Sequence, residues 1–140
     1  MGCGFSKRTV ADSIEGTDLD AIALRLNGEA KVKEEAALLD EARDLYERAL
    51  EVMRASKGER SAGYAVILSN VACLSRTETK YDEALQLFGE ALVVIENSSD
   101  LTEDARYEML ETMRANALQT EAWQNEEELE ILEFRATGHS

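Results

Sequence analysis

The stretch from Ala65 to Asn97, AVILSNVACLSRTETKYDEALQLFGEALVVIEN, decides the fold of this 140-residue chain. In each half of it, apolar and small residues recur at spacings of three and four, which places them on one face of a helix. These residues are Leu68, Val71, Ala72 and Ser75 in the first half, and Tyr81, Ala84, Leu85, Phe88, Ala91, Leu92 and Ile95 in the second. The intervening RTETK has no apolar residue and offers Thr77 and Thr79 as helix caps. The stretch therefore predicts two antiparallel helices that pack through small residues.

An upstream segment, EARDLYERALEVMR, repeats the second of these helices. Its Ala42, Tyr46 and Ala49 precede Ala84, Phe88 and Ala91 by the same 42 positions. Three matches at one offset indicate an internal repeat of a helical hairpin.

The pattern resembles the tetratricopeptide repeat. The residues in the family's spacing are Leu68, Val71-Ala72, Ser75, Tyr81, Ala84, Phe88 and Ala91. The departures are Ser75 in place of an aromatic residue, Thr79 in place of a turn glycine and Glu96 in place of a closing proline. An offset above the usual 34 residues, together with the segment LYERALEVM, resembles the repeats of kinesin light chains. The resemblance covers about residues 18–98 and implies an all-α array of antiparallel helical hairpins.

We expect about two and a half repeats in residues 18–134. The first helix is capped by Thr17 and extends to about Lys33, and the second runs from about Glu35 to Lys57, where Lys57-Gly58 ends it. A later helix begins after Thr102, extends to about Gln124 and buries Tyr107, Leu110, Met113 and Leu118.

A short capping helix is then expected from Glu126 to Phe134, with a disordered tail at 135–140. Its apolar residues, with Trp123 before it, are interpreted as core or cap residues. They are Trp123, Leu129, Ile131, Leu132 and Phe134. The alternative is a surface for a partner or for self-association.

The amino terminus, MGCGFSKRT, carries the sharpest functional signal. Removal of Met1 would leave Gly2 first and Ser6 at the position that the myristoylation pattern requires. Because one myristoyl chain binds membrane only marginally, a second signal is needed, and Cys3 supplies a site for S-palmitoylation. Lys7 and Arg8 add attraction to an anionic leaflet. Residues 1–17 are thus predicted to be a disordered, acylated tether of a eukaryotic protein.

The resemblance also implies a concave groove lined by the first helix of each hairpin, which takes a helix or an extended peptide. The family's groove positions correspond here to Val66, Ser69, Asn70, Cys73 and Arg76. The formal charge of −14 favours a basic or amphipathic partner and disfavours nucleic acid.

No catalytic arrangement, metal-binding motif or cofactor motif is present in the sequence. The single histidine, His139, is next to the carboxyl terminus, so the usual base for serine or cysteine catalysis is missing. The sequence therefore predicts a non-enzymatic adaptor, without metal or cofactor, on the cytoplasmic face of a membrane such as the plasma, flagellar or ciliary membrane. The alternative is an unmodified, soluble assembly subunit or a homodimer that pairs through its C-terminal helix.

Overall fold

The computed structural model describes residues 18–138 as five helices. They are α1 (Asp18–Glu35), α2 (Leu39–Ser56), α3 (Ala62–Thr77), α4 (Tyr81–Asn97) and α5 (Glu103–Ala136). Helix α1 packs along α2, α3 along α4, and α5 along α4. No strand occurs between residues 18 and 138. The predicted all-α array of helical hairpins is confirmed.

The 42-residue repeat extends to the turn inside each hairpin. In the first turn, the Leu38 amide donates to the Lys33 carbonyl at 2.9 Å; in the second, the Lys80 amide donates to the Ser75 carbonyl at 2.8 Å. Ala37 and Thr79, one residue before these donors, both have left-handed backbone with φ near 60°. The chain reverses in the same way in both repeats, although neither turn contains the glycine that this conformation favours.

Buried residues on α2 and α4 also follow the offset. Two alanines, one aromatic residue and one long apolar residue on each helix are buried. They are Ala42, Tyr46, Ala49 and Met53 on α2, and Ala84, Phe88, Ala91 and Ile95 on α4. Alanine adds little bulk beyond the backbone, so these helices can approach their partners closely while the larger residues fill the space between.

Helix α3 is the centre of the packing. Every residue from Ala62 to Arg76 is buried, with at most 8 % of its surface exposed. Helices from both sides of it in the sequence, α2 before and α4 and α5 after, contact it. It is also apolar around most of its circumference, as expected for a helix without a solvent-facing side.

Several helix boundaries agree with the sequence, and others do not. Gly58, two residues past the end of α2, has φ 87°, in agreement with the predicted stop at Lys57-Gly58. Helix α5 begins directly after Thr102, as predicted, and the Thr102 side chain accepts a hydrogen bond from the Ala105 amide. The predicted caps Thr77 and Thr79 are wrong, because α4 follows Lys80 without a side-chain cap. Helix α2 begins at Leu39 rather than Glu35, because the left-handed backbone conformation of Ala37 cannot be part of an α-helix.

Helix α5 differs most from the expectation. The two predicted helices are one uninterrupted helix of 34 residues, and every residue from Asn125 to Gly138 is exposed. Neither glycine nor proline lies between Gln124 and Phe134, so nothing in the sequence interrupts the hydrogen-bond ladder. At ~1.5 Å per residue, α5 is about 51 Å long, twice the length of α4. Gln124 Nε2 still donates to Asp82 Oδ1 at the start of α4 at 2.8 Å, and the last turns of α5 extend beyond the hairpin instead of folding back across it. It ends at Ala136, two residues past the predicted end of the domain.

The predicted tether at residues 1–17, the cap Thr17 and the end of the tail at 139–140 lie outside the described residues. Between residues 18 and 138, no helix is long and apolar enough to span a bilayer.

Candidate protein-binding groove

Helices α1 and α3 are the first helices of the two hairpins, and α5 follows the second hairpin. Polar side chains connect these three helices in order. On α1 and α3, Asn70 Nδ2 donates to Asn27 Oδ1 at 2.9 Å. On α3 and α5, Arg76 Nη1 donates to the Asn116 backbone carbonyl at 3.2 Å. We call these four side chains, with Glu34 and Trp123, the polar row.

The asparagine pair leaves hydrogen-bonding capacity unused. The Asn27–Asn70 bond takes one donor and one acceptor, and among the described residues the Asn27 amide group and the Asn70 side-chain carbonyl make no further bond. A side-chain NH₂ next to a side-chain carbonyl matches the carbonyl and N–H of a peptide unit. Nearby on α3, Ser69 Oγ is buried and has no hydrogen-bond partner in the part of the chain that is described.

Arg76 lies at the other end of the polar row, between a carboxylate and an aromatic ring. Its guanidinium carbon is 4.8 Å from the centre of the Trp123 ring, a cation–π geometry. Burial lowers the pKa of Arg76, and the Glu34 carboxylate partly opposes that effect. On the far side, Asn116 is held by its own helix, because its Nδ2 donates to the Thr112 carbonyl at 3.0 Å.

Glu34 is the acidic member of the polar row. Burial is the main cause of its raised pKa, while a hydrogen bond from Tyr46 and the charges of Lys31 and Arg76 act in the opposite direction. Tyr46 Oη donates to Glu34 Oε1 at 2.8 Å, and burial followed by the Glu34 charge raises the pKa of Tyr46. This acid is therefore held by a neighbouring phenol and lies in the field of a cation on α3.

The structure buries all five residues that the sequence assigns to the groove, each with at most 7 % of its surface exposed. Asn70 and Arg76 belong to the polar row. Val66 lies in the main apolar core, and Cys73 packs with Ala72, Ala84 and Phe88 in a second apolar cluster. The assignment of these five residues to partner binding stays a prediction. The predicted lipid sites Gly2 and Cys3 and the cations Lys7 and Arg8 lie outside the described residues.

The sequence analysis assigned no binding role to Asn27, Glu34 or Asn116. It treated Trp123 as a core or cap residue, with a surface for a partner or for self-association as the alternative. The spacing of these residues in the sequence could have indicated that they lie together. Asn27 and Glu34 are seven residues apart, and so are Asn116 and Trp123. Seven residues are close to two helical turns, so each pair lies on one face of its helix. Amide, guanidinium and carboxylate groups in a row are suited to hydrogen bonding with a peptide. No group of histidine, cysteine or acidic residues within 18–138 is arranged to hold a metal ion.

Comparison with known proteins agrees with this architecture. The tetratricopeptide repeat family matches residues 20–96, somewhat more than half of the chain. No curated protein and no solved structure matches it. The family match, the paired helices and the repeated turn lead to one conclusion: the chain belongs to the tetratricopeptide repeat family, whose members are generally non-enzymatic scaffolds that bind other proteins.

Proposed function

We propose that this protein is an adaptor that binds a segment of a partner protein along α1, α3 and α5 and is held at a membrane by lipids on Gly2 and Cys3. The observation that carries the first part is the Asn27–Asn70 pair, which has a donor and an acceptor left over at the junction of two repeats.

The partner segment is basic or amphipathic. The chain carries 29 acidic and 15 basic residues, so its field attracts cationic segments and repels acidic ones. The equal burial and the equal turns 42 positions apart also support the likeness to kinesin-light-chain repeats.

Binding in the groove is tested with an array of immobilised peptides, half of them basic and amphipathic and half acidic. Asn70→Ala should weaken the binding of basic peptides at least about fivefold, because one good hydrogen bond contributes about 1 kcal/mol. Asn97→Ala is the matched control, since Asn97 is an exposed asparagine on α4 that bonds only within its own helix. Equal binding of the basic peptides by the wild type, Asn70→Ala and Asn97→Ala would overturn the groove assignment.

The second part rests on the sequence MGCGFSKR. Gly2 and Ser6 fit the myristoylation pattern, and Cys3 is adjacent to the first lipid. Two acyl chains anchor stably where one does not, and Lys7 and Arg8 add about 1 kcal/mol each on an anionic surface. Such an anchor would place the groove on the cytoplasmic face of the membrane and raise the local concentration of any partner there.

The anchor is tested by intact-mass spectrometry of reduced protein from its native cell, before and after hydroxylamine. A myristoyl mass that persists and a palmitoyl mass that hydroxylamine removes are expected. Gly2→Ala should move the protein from the membrane fraction to the soluble fraction. An unmodified amino terminus would instead favour a soluble assembly subunit, and unchanged fractionation of Gly2→Ala would exclude the lipid anchor.

A further inference from the structure

Between Leu118 and Leu132, α5 has an apolar stripe on the side away from the hairpins. Leu118, Leu129 and Leu132 have 66 %, 58 % and 58 % of their surface exposed. With the exposed Ala122 and Asn125 they follow the spacing four, three, four, three. That alternation is the seam of a two-helix coiled coil. We call these five residues the outer stripe.

The outer stripe does not belong to the core of this chain. The buried residues of α5 include Met109 and Met113, and Leu118 follows them by nine and five positions. At about 100° per residue, Leu118 is roughly 140–180° around the helix from them. The face of α5 that packs on α4 and the outer stripe are therefore opposite sides of one helix.

Glutamates border the outer stripe on both sides. Glu126 and Glu133 lie on one edge, Glu121 and Glu128 on the other, and all four are exposed. In a coiled coil these flanking positions meet the flanking positions of the partner helix and decide which partner is accepted.

A second copy of this chain is a poor occupant for that reason. In a parallel pair, Glu121 would face Glu126 of the other copy, and Glu128 would face Glu133. In an antiparallel pair, each edge would meet the same edge, again glutamate against glutamate. Like charges at these positions destabilise pairing, whereas lysine or arginine would form salt bridges across the seam.

We propose that the outer stripe binds a basic amphipathic helix of a partner protein, with leucine or isoleucine along its seam and lysine or arginine at its flanks. Ala122 lets the partner backbone approach closely, and Asn125 requires a polar residue opposite it, which fixes the register. The outer stripe lies on the opposite face of α5 from Asn116 and Trp123, so this site does not depend on the groove.

The test uses the full chain and two labelled helical peptides of 21 residues, identical except that one has lysine and the other glutamate at the flanking positions. Fluorescence anisotropy measures binding. The lysine peptide should bind with an affinity that falls as salt is added, because the flanking charges are exposed. The glutamate peptide should bind at least about tenfold more weakly.

Substitutions on and off the outer stripe distinguish binding at this site from non-specific binding. Leu132→Gln should weaken binding of the lysine peptide about tenfold, the loss expected from removing one leucine from a helix interface. Ile131→Gln is the matched control, since Ile131 is also exposed but lies about 100° away, off the outer stripe. The double variant Glu126→Lys with Glu133→Lys should bind the lysine peptide more weakly than the wild type does and the glutamate peptide more tightly.

Three results would overturn the proposal: equal affinity for both peptides, equal loss in Leu132→Gln and Ile131→Gln, or no binding of the lysine peptide. Light scattering adds a fourth. A dimer of the wild-type chain that Leu129→Gln with Leu132→Gln dissociates would assign the outer stripe to a second copy instead.

Discussion

Ala37 and Thr79 have the same left-handed backbone conformation, with φ of 62° and 61°, although neither is glycine. Their amides donate to Glu34 and Arg76 at the same distance of 2.9 Å. An L-residue in this conformation costs about 1–2 kcal/mol, and a β-branched residue such as threonine fits it worst. Both repeats therefore close their turns at the expense of stability.

Replacing Thr79 by glycine should raise the free energy of unfolding by up to about 1 kcal/mol, since the relief of strain exceeds the added flexibility of the unfolded chain. Urea denaturation followed by circular dichroism measures the change. Gln86→Gly, at an exposed interior position of α4, should instead lower it by about 0.8–1 kcal/mol. A destabilised Thr79→Gly variant would show that the side chain of Thr79 matters more than its backbone strain.

Arg76 and Trp123 should be energetically coupled across α3 and α5. The 4.8 Å cation–π contact between them predicts a coupling energy of about 0.5–2 kcal/mol in a double-mutant cycle of Arg76→Met and Trp123→Leu. The cycle of Arg48→Met with Trp123→Leu is the control, because Arg48 is exposed on α2 and its effect should simply add. Additive effects in both cycles would show that the contact between Arg76 and Trp123 does not help to hold α5 against α3.

The burial of the alanines and aromatic residues of the repeat was predictable, because it follows from their helical spacing and from the 42-residue offset. Ala84 and Phe88 are buried where the helical spacing places them, and Gly58 ends α2 as its sequence suggests. The left-handed conformation of the turns was not predictable from the residue types, since Ala37 and Thr79 are not glycine; only the family spacing, which places Thr79 where a turn glycine is usual, pointed to it. There the close packing of paired helices overrides the preference of the single residue.

Ala84 should not tolerate a larger side chain. It is fully buried, and its apolar cluster includes Phe88 and Ala72. Ala84→Leu should destabilise the fold by about 1–3 kcal/mol through overpacking, seen as a lower melting temperature. Gln86→Leu, two positions along the same helix but exposed, should change it little. A melting temperature that Ala84→Leu leaves unchanged would contradict the close approach of α3 and α4.

Glu34 should make stability depend on pH in the weakly acidic range. Burial raises the pKa of Glu34 above its usual value of 4.5, so between 4.5 and the raised value the folded chain binds more protons than the unfolded chain. Stability contributed by this group is then complete below pH 4.5 and is lost as the pH rises through the folded pKa.

Comparing Glu34→Gln with the wild type isolates this effect from the other acids. Relative to the variant, the wild type should lose free energy of unfolding as the pH rises through that window. Glu41→Gln, at an exposed position on α2, is the control and should follow the wild type. Parallel curves for Glu34→Gln and the wild type would show that Glu34 titrates as if it were in water.

Helix α5 shows why its site could not be predicted from periodicity. Two apolar sets recur along it, one with Met109 and Met113 and the other with Tyr107 and Leu118, and both have helical spacing. Sequence reasoning combined Tyr107, Met113 and Leu118 into one buried face, whereas Tyr107 and Leu118 are 67 % and 66 % exposed. Only the packing of α5 on α4 decides which set is covered. Of the polar row, only Asn70 and Arg76 were assigned to the groove from the sequence, because the row forms between helices that are distant in sequence.

The burial of α3 on every side has a consequence for how the chain is made. The ribosome releases α1 and α2 before α3, and α4 and α5 only later, so the most buried helix of the fold has part of its surface uncovered until they follow. Partly synthesised chains that lack α5 would expose this surface to other nascent chains. The order of synthesis therefore makes the middle of this protein the segment most in need of protection by chaperones before the final helix arrives.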